Sequence, residues 1–278
     1  MFKTKSGTYT LLFIVALLAL STFLGLEKPE DASVAVFLAP EVLFHIGSFP
    51  ITNSFFWSIF LSLVLMAGAI KLNYSIKQQP GSFQNLVEAI IEGGFKFVGT
   101  LNRDEKKAKI LFPLVFTMFL FILVTNLFSF LPGASAITLG DAALFRSVMA
   151  DYTIVFMLTL VTVISAQVVA IIANGPIGYL GKFFNFSSPL NFILGLMDII
   201  GELSKILSLS FRLFGNVFAG EVLGAVMLFL MPFFLPLPFM FMGLLSAVIQ
   251  AFVFSLLTTI FITMAWEAPP PKESPVAT

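Results

Sequence analysis

Cysteine is absent from the 278 residues, only 11% of them are charged, and one histidine, His45, is present. Without thiols the chain cannot form disulfides, cysteine-ligated metal sites or iron–sulfur clusters. Fifteen Lys and Arg balance fifteen Asp and Glu, and this formal net charge of zero argues against nucleic acid as a partner, because nucleic acid favours a basic surface.

Hydrophobic residues are in excess instead. They make up 58% of the chain, 35 residues are Phe, and the mean hydropathy is +1.01. A soluble domain is only about 45–50% apolar and carries about 25% charged residues. The composition therefore predicts an integral membrane protein, in which bulky apolar side chains can face lipid.

Long apolar runs indicate where the chain crosses the bilayer. A spanning helix needs about 20 largely apolar residues, and the strict alternation typical of barrel strands is missing. The predicted fold class is all-α, a polytopic membrane protein with five or six hydrophobic helices. The runs are Leu11–Leu26, Phe55–Leu72, Ile110–Leu131, Thr153–Asn174, Pro189–Met231 and Pro236–Ala265.

The first run has two interpretations. Lys3 and Lys5 followed by Leu11–Leu26 fit either a signal peptide or a short first span. We therefore separate residues 1–26 from a single transmembrane domain, residues 27–278, whose part 189–265 is a long helical hairpin. Both interpretations place residue 27 outside.

One segment differs from the spans. In Gln84–Leu101 the charged residues Glu88, Glu92 and Lys96 recur every four residues, while apolar residues fill the other side. This spacing predicts an amphipathic helix that lies at the membrane surface or packs against the bundle.

The distribution of Lys and Arg predicts the orientation, because cytoplasmic loops are enriched in them. With a cytoplasmic N-terminus, eleven of the fifteen fall inside, and only Lys28 and Arg146 fall outside. The same count places the C-terminal tail in the cytoplasm. A multi-pass protein of a bacterial plasma membrane fits best.

Five ionisable residues lie within the apolar run Pro189–Met231. An ionisable group near the bilayer centre costs about 2.5–3.5 kcal/mol on insertion scales, so such groups usually face a bundle interior or a water-filled path. They are Asp198, Glu202, Lys205, Arg212 and Glu221.

Helical rotation divides these residues, since each residue turns the chain by about 100°. Ser208, Asn216 and Lys205 fall within about 40° of the face of Arg212, and Asp198 returns to that side. Glu221 comes out about 180° away. A run of about 43 residues would be roughly 65 Å long as one helix, twice the hydrocarbon core, so it is either broken or strongly tilted.

Several of these residues also have a purely structural explanation. Glu202 and Lys205 are spaced for an i, i+3 ion pair, with Asp198 near a helix end at the headgroups. Gln250, in the last run, suits an interhelical hydrogen bond better than ion transfer when considered alone. His45 suits an exposed external loop, and Arg212 itself could form a structural ion pair.

Arginine at position 212 is informative because its guanidinium stays charged at accessible pH. It cannot relay protons. It can favour the ionised form of a nearby carboxylate, and so promote release of a proton or Na⁺, and it can block leakage between two aqueous half-paths. That carboxylate would come from another chain.

The segment from Lys205 to Glu221, KILSLSFRLFGNVFAGE, closely resembles the signature of the a subunit of F-type ATP synthases. The resemblance extends over most of the chain. It includes Pro40-Glu41 with Phe49–Asn53, Thr125-Asn126-Leu127, Leu131-Pro132-Gly133 and Gln250-Ala251-Phe252.

The resemblance implies a role for each candidate site residue. Arg212 matches the arginine that faces the carboxylate of each c subunit, and Ser208 and Asn216 match residues that line this contact. Glu221 and Gln250 match one half-channel, and Asp198 matches the other access path. Ser129 and Gly243 stand where some relatives have an acid and a histidine, so those relay positions are in doubt.

The resemblance also implies a subunit that catalyses nothing alone and needs no cofactor. Its partners would be the c-ring, the b-subunit peripheral stalk and the lipid bilayer. The resulting hypothesis is a stationary subunit whose C-terminal helices, tilted against the ring, form two half-channels that couple proton or Na⁺ flow to rotation and ATP synthesis. The alternative is a stand-alone ion channel or secondary transporter, although the inverted repeats typical of that class are missing.

Overall fold

A computed structural model describes residues 40–46, 49–77, 81–102, 104–129, 138–139, 142–143, 146–183, 189–230 and 236–267. The predicted run Leu11–Leu26 and the C-terminal tail beyond residue 267 lie outside the described residues. By their contacts, residues Gly220–Met242 belong to one compact unit, and the described residues of Ala39–Ala219 and Gly243–Thr278 to another.

The described chain begins with a short antiparallel hairpin. Strand β1 (Val42–Ile46) pairs with β2 (Phe49–Thr52), with an irregularity between Val42 and Phe44. His45 is exposed on β1, as its interpretation as a surface residue requires. A second hairpin of two-residue strands joins β3 (Thr138–Leu139) to β4 (Ala142–Ala143). The sequence did not predict either hairpin, but both are small beside the helices.

Six long helices in the described part of the chain confirm the all-α class. Five of them are long and apolar enough to cross a membrane. Their ends fall within five residues of the predicted runs, except that α4 continues past Asn174. The helices are α1 (Asn53–Ser75), α2 (Ser82–Leu101), α3 (Glu105–Ser129), α4 (Tyr152–Phe183), α5 (Pro189–Leu230) and α6 (Pro236–Glu267).

Side chains cap the starts of α1, α3 and α4. At α3 the carboxylate of Asp104 accepts a 2.9 Å hydrogen bond from the amide of Lys106. The hydroxyl of Thr52 accepts a hydrogen bond from the amide of Phe55 at the start of α1. Asp151 is 5% exposed, and its carboxylate accepts a 2.9 Å hydrogen bond from the amide of Thr153 at the start of α4. Such caps satisfy amide groups that a helix leaves unpaired at its first turn.

Helix α4 is interrupted at Gly175, which has φ 73° and ψ 156°. Residues other than glycine rarely adopt this conformation, and Pro176 follows directly. The apolar part ends at Asn174, as predicted, and a further helical stretch reaches Phe183.

The main core joins α1, α3, α4, α5 and α6. Its fully buried members include Leu61 on α1, Ile122 on α3, Val155 on α4, Leu213 on α5 and Phe254 on α6. All of them lie in the unit formed by Ala39–Ala219 and Gly243–Thr278. This core fixes the rotation of α5 from Leu209 to Val217, and with it the direction in which Arg212 points.

Helix α2 is amphipathic, as predicted. Its C-terminal half packs against the bundle, where the ring of Phe97 lies 4.8 Å from that of Phe252 and Val98 is buried. Glu92 and Lys96 form an exposed ion pair of 2.7 Å, and the ammonium of Lys96 lowers the pKa of Glu92. The charged stripe therefore stays outside the packed surface.

Candidate functional site

Arg212 is exposed on α5. Its Nη2 lies 3.5 Å from the hydroxyl of Ser208, one turn earlier, at the long limit of a hydrogen bond. Among the described residues of its own unit, no carboxylate forms a salt bridge with it, whereas Lys96, Lys109 and Lys205 each form an ion pair. The structural ion pair that the sequence left open for Arg212 is therefore not formed with these residues.

Both neighbours of Arg212 on α5 lie where rotation placed them. Ser208 is exposed, and Asn216 is half-buried. The hydroxyl of Ser246 on α6 donates a 2.8 Å hydrogen bond to Asn216 Oδ1, and Asn216 Nδ2 donates to the Ser246 carbonyl at 3.4 Å. Asn216 thus ties α5 to α6 one turn from Arg212.

Gln250 on α6 is 7% exposed, and its Nε2 has no hydrogen-bond partner among the described residues. For that nitrogen, the prediction of a satisfied interhelical hydrogen bond is wrong. A buried polar atom without a partner costs about 1–3 kcal/mol. Such an atom in a membrane protein calls for a functional explanation.

Asn126 on α3 has the complementary property. It is fully buried, its Nδ2 donates a 3.3 Å hydrogen bond to the carbonyl of Ala247, and its Oδ1 is unpartnered among the described residues. Ala247 is one turn before Gln250 on the same helix. An orphaned acceptor and an orphaned donor therefore lie on facing helices. In the sequence, Asn126 was named only as part of the stretch Thr125-Asn126-Leu127 that resembles the family. The sequence did not predict the contact of Asn126 with α6.

The two positions that depart from the family pattern carry no titratable side chain. Ser129 Oγ donates to the Thr125 carbonyl at 3.0 Å and lies 2.7 Å from the hydroxyl of Ser147. Gly243 has no side chain. Neither residue can take the place of an acid or a histidine.

Asp198 and Glu221 are both half-buried on α5. Asp198 is the tenth of the 42 residues of α5, and its position near the headgroups stays a prediction. Glu221 belongs to the unit Gly220–Met242.

Glu202 and Lys205 form the predicted ion pair, with Lys205 Nζ 2.8 Å from Glu202 Oε1. Two residues of α4 extend it. Gln167 Nε2 donates a 2.8 Å hydrogen bond to Glu202 Oε2, and the hydroxyl of Tyr179 donates to Gln167 Oε1. The sequence did not indicate Gln167 or Tyr179.

Comparison with known proteins identifies the family to which these residues belong. Residues 53–263 match the family described as ATP synthase A chain. The chain belongs to this family. The match covers α1 to α5, the strands β3 and β4, and α6 up to residue 263, so the resemblance carried by the segment around Arg212 is confirmed over most of the chain.

Individual relatives agree with the family. The chain is 35% identical over 224 residues to ATP synthase subunit a of Moorella thermoacetica, covering 80% of this chain and 94% of the relative. Subunit a of Legionella pneumophila strain Corby is 31% identical over 221 residues, covering 79% and 88%. Subunit a 3 of Pelobacter propionicus is 36% identical over 209 residues, covering 75% and 84%.

Proposed function

We propose that the chain is the stationary ion-translocating subunit of a rotary ATP synthase, and that Arg212 is its fixed charge. The observation that supports this most strongly is the exposed guanidinium, placed within a candidate spanning helix and without a salt bridge to the described residues of its unit. A charge in the bilayer without a partner is costly. A carboxylate on the neighbouring ring would remove that cost.

The surface around Arg212 suits close approach by another helix. Gly201, Ser204, Ser208, Gly215 and Ala219 are exposed or half-exposed at helical spacing. A Cβ added at Gly201 or Gly215 would meet nothing within 4 Å, so packing inside this chain does not require glycine there. Small residues let helix backbones approach closely in membranes, which fits a ring of helices moving past this face.

The mechanism follows from the charge. A ring carboxylate that arrives protonated meets the field of Arg212, which favours the ionised form and so the release of the proton. Because the guanidinium keeps its own protons, ions cannot pass directly from one half-path to the other. Passage then requires the ring to turn, and that rotation drives ATP synthesis elsewhere in the complex.

Two polar regions are candidates for the half-paths. We assign Gln250 and Asn126 to the path from the outer side, because their unpartnered atoms suit a hydrated lining. The family resemblance makes Glu221 a further candidate for ion translocation. We assign Asp198 to the cytoplasmic path. Lys205 lies on the face of Arg212 by rotation, but its ion pair with Glu202 sets it apart.

The proposed function also implies how the chain is placed in the complex and in the membrane. The hairpin 189–265 would lie tilted against the c-ring, the b-subunit peripheral stalk would hold the chain stationary, and the C-terminus would be cytoplasmic in a bacterial plasma membrane. The chain would have no catalytic site of its own.

Arg212→Ala and Arg212→Lys, tested in membranes that contain the complete complex, examine the proposal. Both variants should assemble, since Arg212 lies outside the core. Arg212→Ala should abolish ATP synthesis driven by an ion gradient, because the ring carboxylate loses its counter-charge. Arg212→Lys should also fail to couple, because lysine can lose its proton. Retained synthesis in Arg212→Ala would refute the proposal, because coupling would then not need the fixed charge.

A further inference from the structure

Lys205 is a second cation on the helix that presents Arg212. It lies seven residues earlier, about 20° from the same face on an ideal helix. Two free cations on one face would compete for the same ring carboxylate. The two residues differ, however, since Arg212 is exposed and Lys205 is half-buried.

Lys205 is held from two sides. Its Nζ lies 2.8 Å from Glu202 Oε1 and 5.3 Å from the centre of the Phe261 ring on α6. A cation over an aromatic face is attracted by the ring quadrupole. The ammonium therefore has a full counter-charge and an aromatic support within its own chain.

Glu202 is held in turn from α4. Its second oxygen, Oε2, accepts a 2.8 Å hydrogen bond from Gln167 Nε2. The amide oxygen of Gln167 accepts from the hydroxyl of Tyr179. Burial, and then the negative charge of Glu202, raise the pKa of Tyr179, so the phenol stays protonated as a donor. Each carboxylate oxygen thus has its own donor.

The break at Gly175 is what permits this arrangement. Tyr179 follows Gln167 by twelve residues, which on an unbroken helix would separate the two Cα atoms by about 18 Å. Their side chains could not meet over that distance. The left-handed φ of 73° at Gly175 redirects the chain and brings the phenol back to the amide.

We propose that Glu202, Gln167 and Tyr179 form a counter-charge clamp that neutralises and holds Lys205, so that Arg212 is the cation presented to the ring. The three are positioning residues, which act through Lys205. The inference rests on the proposed function, in which Arg212 meets a ring carboxylate. The competing account makes Glu202 itself an ion carrier.

Substitutions that replace a charged side chain by a neutral one of similar size separate the two accounts. ATP-driven proton pumping is measured in inverted vesicles bearing the complete complex, per assembled complex, for Glu202→Gln, Lys205→Gln and the double variant. Glu202→Gln should reduce pumping about tenfold, as expected when a charge loses its ionic partner. Lys205→Gln should retain at least about a third of it, because Gln167 still binds Glu202. The double variant should recover to the level of Lys205→Gln. A double variant as poor as Glu202→Gln would overturn the clamp and favour Glu202 as a carrier.

Gln167→Leu and Tyr179→Phe test the outer part of the clamp. Each should reduce pumping about threefold or more, their effects should not add, and Lys205→Gln should relieve both. Ser165→Ala is the matched control, since Ser165 lies on the same helix and its hydroxyl donates only to the carbonyl of Val161. If Gln167→Leu assembles poorly, Tyr179→Phe, which removes one oxygen, decides.

The failure of this inference differs from the failure of the proposed function. If Arg212→Ala abolishes coupling while the clamp variants pump as well as Ser165→Ala, only the clamp is wrong. If Arg212→Ala still couples, the proposed function is wrong.

Discussion

Ser246 on α6 donates a 2.8 Å hydrogen bond to the side chain of Asn216 on α5, one helical turn from Arg212. This contact, with the return bond from Asn216 Nδ2 at 3.4 Å, links the helix of the fixed charge to the helix of Gln250. It therefore sets the separation of α5 and α6 beside Arg212.

Replacing Ser246 by Ala should loosen this link. Asn216 Oδ1 would lose its donor, at a cost of about 1 kcal/mol, and ATP synthesis should fall several-fold while assembly persists. Synthesis and thermal stability are measured on the same membranes. Ser255→Ala is the control, because the hydroxyl of Ser255 donates to Ala251 within α6 alone. Equal effects of the two variants would contradict a role for the Asn216 contact.

Gly215→Leu should stop coupled transport without unfolding the chain. A Cβ at Gly215 meets nothing within 4 Å, so a side chain can leave α5 there without a clash at its first carbon, and it would project towards the ring. We expect a loss of at least about tenfold in ATP-driven pumping, because close helix approach needs small residues. The control is Gly68→Leu on α1, where a Cβ also meets open space and the surface would face lipid. A loss of similar size at Gly68 would show that bulk alone is harmful.

Gln250→Met should have opposite effects on stability and transport. The variant removes a buried donor that has no partner among the described residues, so the thermal midpoint of the complex should stay level or rise. Transport should fall, because the outer half-path loses a polar group. If Gln250 were a structural residue, the midpoint would fall instead.

Much of the architecture followed from apolar patterning. The predicted run Phe55–Leu72 corresponds to the helix Asn53–Ser75, and the run Pro189–Met231 corresponds to a single helix that ends at Leu230. Long runs without polar breaks are unambiguous, since the bilayer fixes their minimum length. The hairpin of β1 and β2 was missed because its strands have five and four residues and lack an alternating pattern.

At the site, the sequence predicted relations between residues of one helix, but it did not predict contacts between helices. The i, i+3 spacing predicted the Glu202–Lys205 ion pair, and a 100° rotation placed Ser208 beside Arg212. Gln167 joins Glu202 across 35 positions of sequence, and Asn126 reaches Ala247 across 121. Such contacts depend on how the helices pack. The sequence Gly175-Pro176 marks the end of the apolar run, but it does not specify where the chain lies after the break.

The central claim is that the counter-charge of Arg212 lies on the ring, and crosslinking from Ser208 tests it most directly. Ser208 is exposed one turn from Arg212, and the chain contains no cysteine, so Ser208→Cys provides a single thiol. A second cysteine is placed in the c subunit one turn from its membrane carboxylate, and the membranes are oxidised. The account predicts a disulfide-linked dimer of the two subunits in high yield, with loss of ATP synthesis that reduction reverses. The account would be contradicted if Ser208→Cys formed no such dimer and gave the same result as a control cysteine at exposed Gly68 on α1.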